Sequence, residues 1–262
     1  MIQISAIDTL PAYVIAIVLF ILVLASFFAG VRIRRNTLRK NPELSKDDFG
    51  SISSSLLGLL ALLLAFTFGM ANSRFDDRRN LAIQEANAIG TAVLRADVFP
   101  DSMKNILKKQ FEEYLEARIA FNQSGMDVDK MVEYYYKADG ISAKIWMSVS
   151  DYAKKNPEST RTSEIIPAIN EMIDITTSRR AAGEANIPSS IQLLLITLCV
   201  CSTFLMGYER KNKFDVLVII GFSLMLAFTV FTIIDMDRPR SGLVTMDEAN
   251  SKIVDLRSLF KK

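Results

Sequence analysis

The side chains able to do chemistry in this chain are acids and arginines, and they lack the partners that most catalysis needs. Its 262 residues include no histidine. That excludes histidine-based triads, HExxH zinc sites and histidine-ligated haem. Glu112, Glu113 and Glu116 form the densest carboxylate group, with Glu85 and Asp97 upstream, and their spacing reads as a charged helical surface facing water. Nothing resembles a nucleophile elbow, a P-loop or an EF-hand. Cys199 and Cys201 are the only cysteines. Two apart on a helix, they point about 200° away from each other and cannot pair within it, so they read as small apolar filler. No catalytic residue, metal ligand or cofactor is expected, and an enzyme is the least supported class. A formal net charge of +2, with no long Lys/Arg cluster, also argues against a nucleic-acid surface.

The elements carrying these side chains are dominated by four uncharged apolar runs, residues 11–31, 50–73, 185–208 and 216–234. At about 1.5 Å per residue each spans a hydrocarbon core of about 30 Å, and a soluble helix of that length would show a polar stripe. The chain therefore reads as an all-α membrane protein with two spans, an extramembrane helical domain over 74–184, two more spans, and a tail over 235–262. No signal-peptide cleavage is expected after the first run, because residues 1–9 hold no Lys or Arg and carry Asp8.

Six basic residues follow the first run: Arg32, Arg34, Arg35, Arg39, Lys40 and Lys46. By the positive-inside rule this loop is cytoplasmic, and so is the short basic link Glu209-Arg210-Lys211-Asn212-Lys213 between spans three and four. The insert and both termini are then extracytoplasmic, in a multi-pass protein of a bacterial inner membrane.

Helix formers continue past span two, so one rod from about Ser53 to Asp97 would be about 70 Å long. Pro100 suits a first helical position, and Met103, Leu107, Phe111, Tyr114 and Arg118 follow at helical spacing until Gly125. After a cap at Asp127, Met131, Tyr135, Ala138, Ser142, Ile145, Val149 and Tyr152 form a heptad seam, read as bundle core rather than an intermolecular coiled coil; Asn156-Pro157 ends it. A last helix restarts near Pro167 and runs into span three through a kink at Pro188. In the tail, Thr245 and Glu248 match a capping box before a helix with Ile253, Leu256 and Phe260 on one face, while Arg257, Lys261 and Lys262 suit its C-terminal end. That helix docks on the bundle or lies on the membrane.

Span two carries a small-residue stripe, Gly58, Ala61, Ala65 and Gly69, which lets another helix approach closely. The opposite face, with Leu59, Leu63, Phe66, Thr67, Met70 and Ser73, is either a packed or lipid-facing surface or the hydrophobic lining of a pore. Spans three and four add only hydroxyls. The absence of charge within the spans argues against a proton-coupled transporter and suits a passive pore or an anchor.

Several stretches together resemble a family. They are 58–68 in span two, Arg78-Arg79, then 85–92 with Glu85, Asn87 and Gly90, and Leu94-Arg95-Ala96-Asp97; Arg179-Arg180 with Ile187-Pro188 before span three, and Asp237-Arg238-Pro239 after span four, complete the set. This pattern resembles the bacterial bestrophin-like integral membrane proteins, a family of unknown function with a distant likeness to bestrophins. The resemblance implies four spans per subunit, a homo-oligomer (a pentamer if bestrophin-like), membrane lipid as partner and an inorganic anion as the conducted species. Bestrophins place their insert in the cytoplasm, opposite to the orientation read from the basic loop, and no bestrophin-type calcium-binding acidic cluster is present. The functional expectation is a homo-oligomeric pore with a helical vestibule; the alternative is a non-conducting scaffold whose helical domain binds an envelope partner.

Overall fold

Inside a bilayer the backbone of an uncharged run has only its own carbonyls to bond, and each of the four runs is helical over most of its length. The computed structural model describes residues 10–41, 43, 50–209, 215–238, 240 and 242–261, and among these every regular element is a helix. In chain order they are α1 (Ala12–Lys40), α2 (Gly50–Ala96), α3 (Asp101–Gln123), α4 (Val128–Lys155), α5 (Thr160–Glu184), α6 (Ser189–Tyr208), α7 (Val216–Asp237) and α8 (Asp247–Asp255). A short 3-10 turn, Leu256–Leu259, follows α8. Helices α1, α2, α6 and α7 hold the four stretches long and apolar enough to cross a membrane. The chain forms two compact units: residues 1–73 with 186–238, and residues 74–185 with 239–262.

In the membrane unit, α1 packs along both α6 and α7. Leu19, Val23, Leu195, Cys199, Leu226 and Val230 share its core. Cys199 is thus the apolar filler expected of it, while Cys201 is exposed. The closest approach is made by two glycines that sequence reading did not single out. A Cβ on Gly30 would lie 2.2 Å from the Phe204 carbonyl oxygen, and one on Gly207 2.1 Å from that of Phe27. Only the missing Cβ lets α1 and α6 touch at their backbones. One turn earlier, Ser26 Oγ donates to the Val200 carbonyl at 2.7 Å, tightening the same crossing. Helix α1 also runs well past residue 31, carrying Arg32, Arg34, Arg35, Arg39 and Lys40 on its last turns. Lys46 and Arg210, Lys211, Asn212 and Lys213 fall outside the described residues.

No kinked helix joins the insert to span three. Helix α5 ends at Glu184 and α6 begins at Ser189. Pro188 has no N–H and turns the residue before it away from the helical region. The freed Ile187 N–H donates to Asp237 Oδ2 at 2.8 Å, and Gln192 Nε2 donates to the Ile187 carbonyl at 3.1 Å.

In the extramembrane unit, α3 packs on α4 and α8, and α4 on α5, around Ile89, Leu107, Phe111, Leu115, Ile145, Val149, Ile165, Ile169, Met172 and Ile253. Asp127 caps α4 as expected, its carboxylate accepting from Lys130 N–H at 3.1 Å. The heptad seam points inward: Ala138, Ser142, Ile145 and Val149 are buried, so it is bundle core. Gly125 supplies the left-handed turn between α3 and α4, at φ 57°.

Two boundaries differ from expectation. Helix α5 starts at Thr160, and Pro167 sits inside it on an exposed face, where the carbonyl that proline leaves unpaired is not buried in the core. The capping box of α8 does not form. Met246 takes the cap position, and the Thr245 hydroxyl donates to Asp247 Oδ2 at 2.8 Å instead. The tail docks on the bundle: Ile253 is fully buried, and Leu256 and Phe260 pack against the same core.

The glycine contacts set an order of sensitivity. Gly30→Leu or Gly207→Leu should destabilise the membrane unit by at least about 1–3 kcal/mol through overpacking of backbone on backbone. Gly69→Leu should not destabilise the isolated chain, since a Cβ there meets nothing within 4 Å and leucine favours a helix over glycine. Thermal unfolding of the variants in detergent checks both; equal stability of all three would show that the α1–α6 crossing tolerates separation.

Candidate functional site

The chemistry-bearing groups of this chain gather in the extramembrane unit, and a carboxylate expected at the surface lies at their centre. Glu85, on α2, is 0% exposed, because its position falls on the inward stripe of Ala82, Ala86, Ile89 and Val93. Arg118 on α3 is 1% exposed for the same reason, ending the stripe of Leu107, Phe111 and Tyr114. Arg118 donates to Glu85 through Nε at 2.5 Å and Nη2 at 3.2 Å. Arg179, from α5, donates through Nη1 to Oε2, the oxygen that Arg118 Nη2 also reaches, and its Nη2 reaches the side-chain oxygens of Asn122 at 3.3 Å and Asn250 at 3.0 Å. One buried anion therefore binds two guanidiniums and joins α2, α3, α5 and α8.

Burial by itself would raise the Glu85 carboxyl, but the Arg118 and Arg179 guanidiniums outweigh it and hold the acid below the usual carboxylate range. The Arg118 guanidinium is likewise raised, Glu85 overcoming the cost of burial. Burial pushes the neighbouring Tyr114 phenol up, so it stays neutral.

A cavity of about 480 Å³ opens beside this clamp. Its wall includes Arg78, Arg118, Arg179, Arg180 and Arg240, with only Glu184 and Asp247 as acids, and Phe121, Met131, Val132, Tyr135 and Tyr136 as its apolar part. The Phe121 ring lies under two of the cations: the guanidinium carbons of Arg118 and Arg240 stand 4.6 and 4.7 Å from its centroid. Arg180 pairs with Glu184 at 2.9 Å and lies 5.1 Å from the Tyr135 ring. Among the described residues, no group of three or more acidic or thiol side chains could hold a metal ion.

The residues that carried the family resemblance meet in two places. Arg78 is buried and donates to the carbonyls of Ala182, at 2.9 Å, and Ala185, countering the negative end of α5. Arg79 is exposed, 3.9 Å from Glu248. Gly90 is buried with the Leu256 side chain 3.3 Å from where its Cβ would be, and Asn87 faces outward. Asp97 pairs with Lys108 at 2.8 Å and Lys104 at 3.6 Å, outside the cavity. In the membrane unit, Asp237 holds the Ile187 turn and Arg238 donates to the Leu10 carbonyl, while Pro239 lies outside the described residues. Glu112, Glu113 and Glu116 lie on an exposed face as expected, and there Arg257 also grips Glu116 through two bonds of 2.7 and 2.6 Å, tying the tail to α3.

Span two presents a different surface. Within its own chain the first half of α2 buries only Ser53, Leu60, Thr67 and Ala71, a line repeating mostly every seven residues. Gly58, Ala61, Ala65 and Gly69 are open, as are Leu59, Phe66 and Ser73; Leu63 and Met70 are half-buried. Thr67, grouped by sequence with the open face, is instead 1% exposed. Its hydroxyl donates back to the Leu63 carbonyl at 2.8 Å, and its side chain lies among Ile187, Gln192 and Leu195.

Four apolar spans and a helical extramembrane unit organised by a buried carboxylate define an all-α, multi-span membrane protein. The Bestrophin-like domain model matches residues 17–250, and the chain belongs to the bestrophin-like family. A bacterial bestrophin homolog from Klebsiella pneumoniae, solved as a point mutant, superposes with a TM-score of 0.71 at 11% identity over 93% of this chain and 99% of its own. Another structure of a homolog from that organism gives a TM-score of 0.67 at 13% identity over 91% and 98%. A third, described as a membrane protein variant, gives 0.70 at 12% over 93% and 99%. At these identities the likeness is one of fold. No curated protein matches the chain.

Because the Glu85 pKa is depressed on folding, its stabilising contribution is present above the ordinary value of 4.5 and lost as the pH falls through the folded value. The extramembrane unit should therefore hold constant stability near neutrality and weaken below about pH 4.5. Glu85→Gln should reduce that acid dependence, leaving the share of the depressed Asp97 and Glu116 carboxyls, and cost about 3–5 kcal/mol at neutral pH, since the buried Arg118 and half-buried Arg179 guanidiniums lose their counter-charge. Circular dichroism melts between pH 3 and 8, on the order of one per pH unit, measure both effects. An unchanged acid limb in Glu85→Gln would assign the pH dependence to other groups.

Proposed function

We propose that this protein is a homo-oligomeric membrane pore of the bestrophin-like type, passing inorganic anions, in which α2 lines the conduction path and the helical unit forms the vestibule. One observation carries the reading. The apolar window of α2 is 17% buried within its own chain, against 33, 33 and 39% for the other three spans. A helix that touches its own chain along one line has most of its circumference left for lipid, for a neighbouring subunit and for a channel axis. The small-residue stripe suits the neighbour, because Gly58 and Gly69 admit a second backbone closely. Phe66, 63% exposed, with Leu63, Met70 and Ser73, suits a hydrophobic constriction that gates by dewetting. Family membership and the bestrophin fold support the same reading, and the uncharged spans fit passive flow rather than coupled transport.

The proposed topology follows the basic residues after residue 31: both termini and the helical unit lie on the extracytoplasmic side of a bacterial inner membrane. In a background lacking Cys199 and Cys201, a cysteine at exposed Glu158 should react with an impermeant thiol reagent on intact cells, and one at Asn41 should not. The reverse labelling would place the helical unit in the cytoplasm.

Ion flux through reconstituted vesicles tests the pore itself. Phe66→Ser or Met70→Ser should raise anion leak several-fold by wetting the constriction, while Gly69→Leu or Ala65→Leu should break assembly on native gels more than Leu63→Ala does. Unchanged flux with lowered thermal stability in the serine variants would remove the pore reading in favour of a scaffold.

A further inference from the structure

The arginine-lined cavity of the extramembrane unit has a composition that neither the fold nor a conduction path requires. Five guanidiniums share its wall with two carboxylates, and the Glu85 carboxylate behind it is already divided between Arg118 and Arg179. Arg180 is matched by Glu184. Arg240 is not matched: among the described residues no carboxylate lies within ion-pair distance, and its acceptors are the Gly125 carbonyl at 3.5 Å and the Met131 sulfur. Arg240 is exposed, yet the partial desolvation of its guanidinium at the cavity, with the positive charge of Arg179 and Arg118, lowers its pKa, as expected for a cation held in a positive field. The Asn122 amide adds an unused donor. Its oxygen accepts from Arg179, whereas its Nδ2 is buried without a hydrogen-bond partner. The buried Asn122 donor is costly to leave unmet, and one anion satisfies it while answering the surplus of guanidiniums that converge on the open cavity, Arg240 standing exposed at its edge.

We propose that this cavity is a binding site for a small organic anion, whose carboxylate or phosphate group sits between Arg179, Arg240 and the Asn122 amide. Its apolar body lies against Phe121, Met131 and Tyr135. The planar Arg240 guanidinium, which among the described residues donates to the protein only through Nη1, matches either head group bidentately, and Arg179 adds its charge. A volume of about 480 Å³ exceeds the needs of an inorganic ion and falls within the range of cavities that hold whole small molecules, and the aromatic and thioether wall favours an apolar body over bulk water. Every contributing residue belongs to the extramembrane unit, so the site is complete in one chain and its occupancy is independent of ion flow.

Calorimetric titration of the full-length protein in detergent at fixed ionic strength tests this, with benzoate and phenyl phosphate as probes, benzamide as neutral isostere, and inorganic phosphate as the head group alone. At least one aromatic anion should bind at least ten-fold more tightly than benzamide and than inorganic phosphate; which of the two binds identifies the head group. Arg240→Gln should weaken that binding at least ten-fold while leaving the melting temperature of the free protein unchanged, and Asn122→Ala should weaken it several-fold. The proposal is overturned if neither aromatic anion exceeds benzamide, if inorganic phosphate binds as tightly as both, or if Arg240→Gln binds like the parent. Because the readout is heat of binding rather than flux, a protein that conducts nothing can still satisfy it, and a conducting one can still fail it.

Discussion

The extramembrane half of this protein is built around one buried negative charge, the only buried acid among its described residues. A carboxylate removed from water costs several kcal/mol unless its environment returns the lost hydrogen bonds and charge compensation. Glu85 recovers both by binding Arg118 and Arg179 at once, with Asn122 and Asn250 fixing the second guanidinium. Four elements distant in sequence contribute to this one interaction, so their register is set by it as much as by the apolar core. The consequence is a local surplus of positive charge. One carboxylate answers two guanidiniums, and further arginines stand at the cavity wall.

The membrane half rests on a different constraint, the removal of side chains rather than their pairing. Gly30 and Gly207 let α1 and α6 meet at their backbones, while α2 stays attached along a narrow line and exposes the rest of its apolar surface. A helix so bare of intrachain contact accounts for the reading of the chain as one subunit of a larger pore.

Much of this was legible in the sequence, and what was missed has a physical pattern. Uncharged runs and a heptad seam announce themselves because hydrophobic periodicity is local, and α1, α2, α4, α6 and α7 were readable from it. Glu85 was misread as a surface acid because burial of a charge depends on a partner far along the chain. The signal was nevertheless present, since Glu85 and Arg118 each occupy a position on an otherwise apolar helical stripe. Two opposite charges on two inward stripes are the mark of a buried pair. The close approach at Gly30 and Gly207 was hidden because the sequence offered a more conspicuous stripe on α2, whose glycines meet nothing in this chain. Arg240 and Asn122 were not separable from ordinary turn and helix-end residues, because their role comes from what the tertiary fold leaves unpaired around them. The helix before α6 breaks ahead of Pro188 and Asp237 accepts the Ile187 N–H so freed, while the Thr245 hydroxyl bonds Asp247 instead of capping α8; neither partner is visible from local rules.

The central claim is that Glu85 and its arginines act as one unit. A double-mutant cycle between Glu85→Gln and Arg179→Met, read as unfolding free energy at neutral pH, measures this most directly. The account predicts a coupling of about 1–3 kcal/mol, with the double variant losing less than the sum of the single losses, because removing Arg179 relieves a guanidinium that Glu85→Gln leaves uncompensated. Strict additivity of the two substitutions would contradict it.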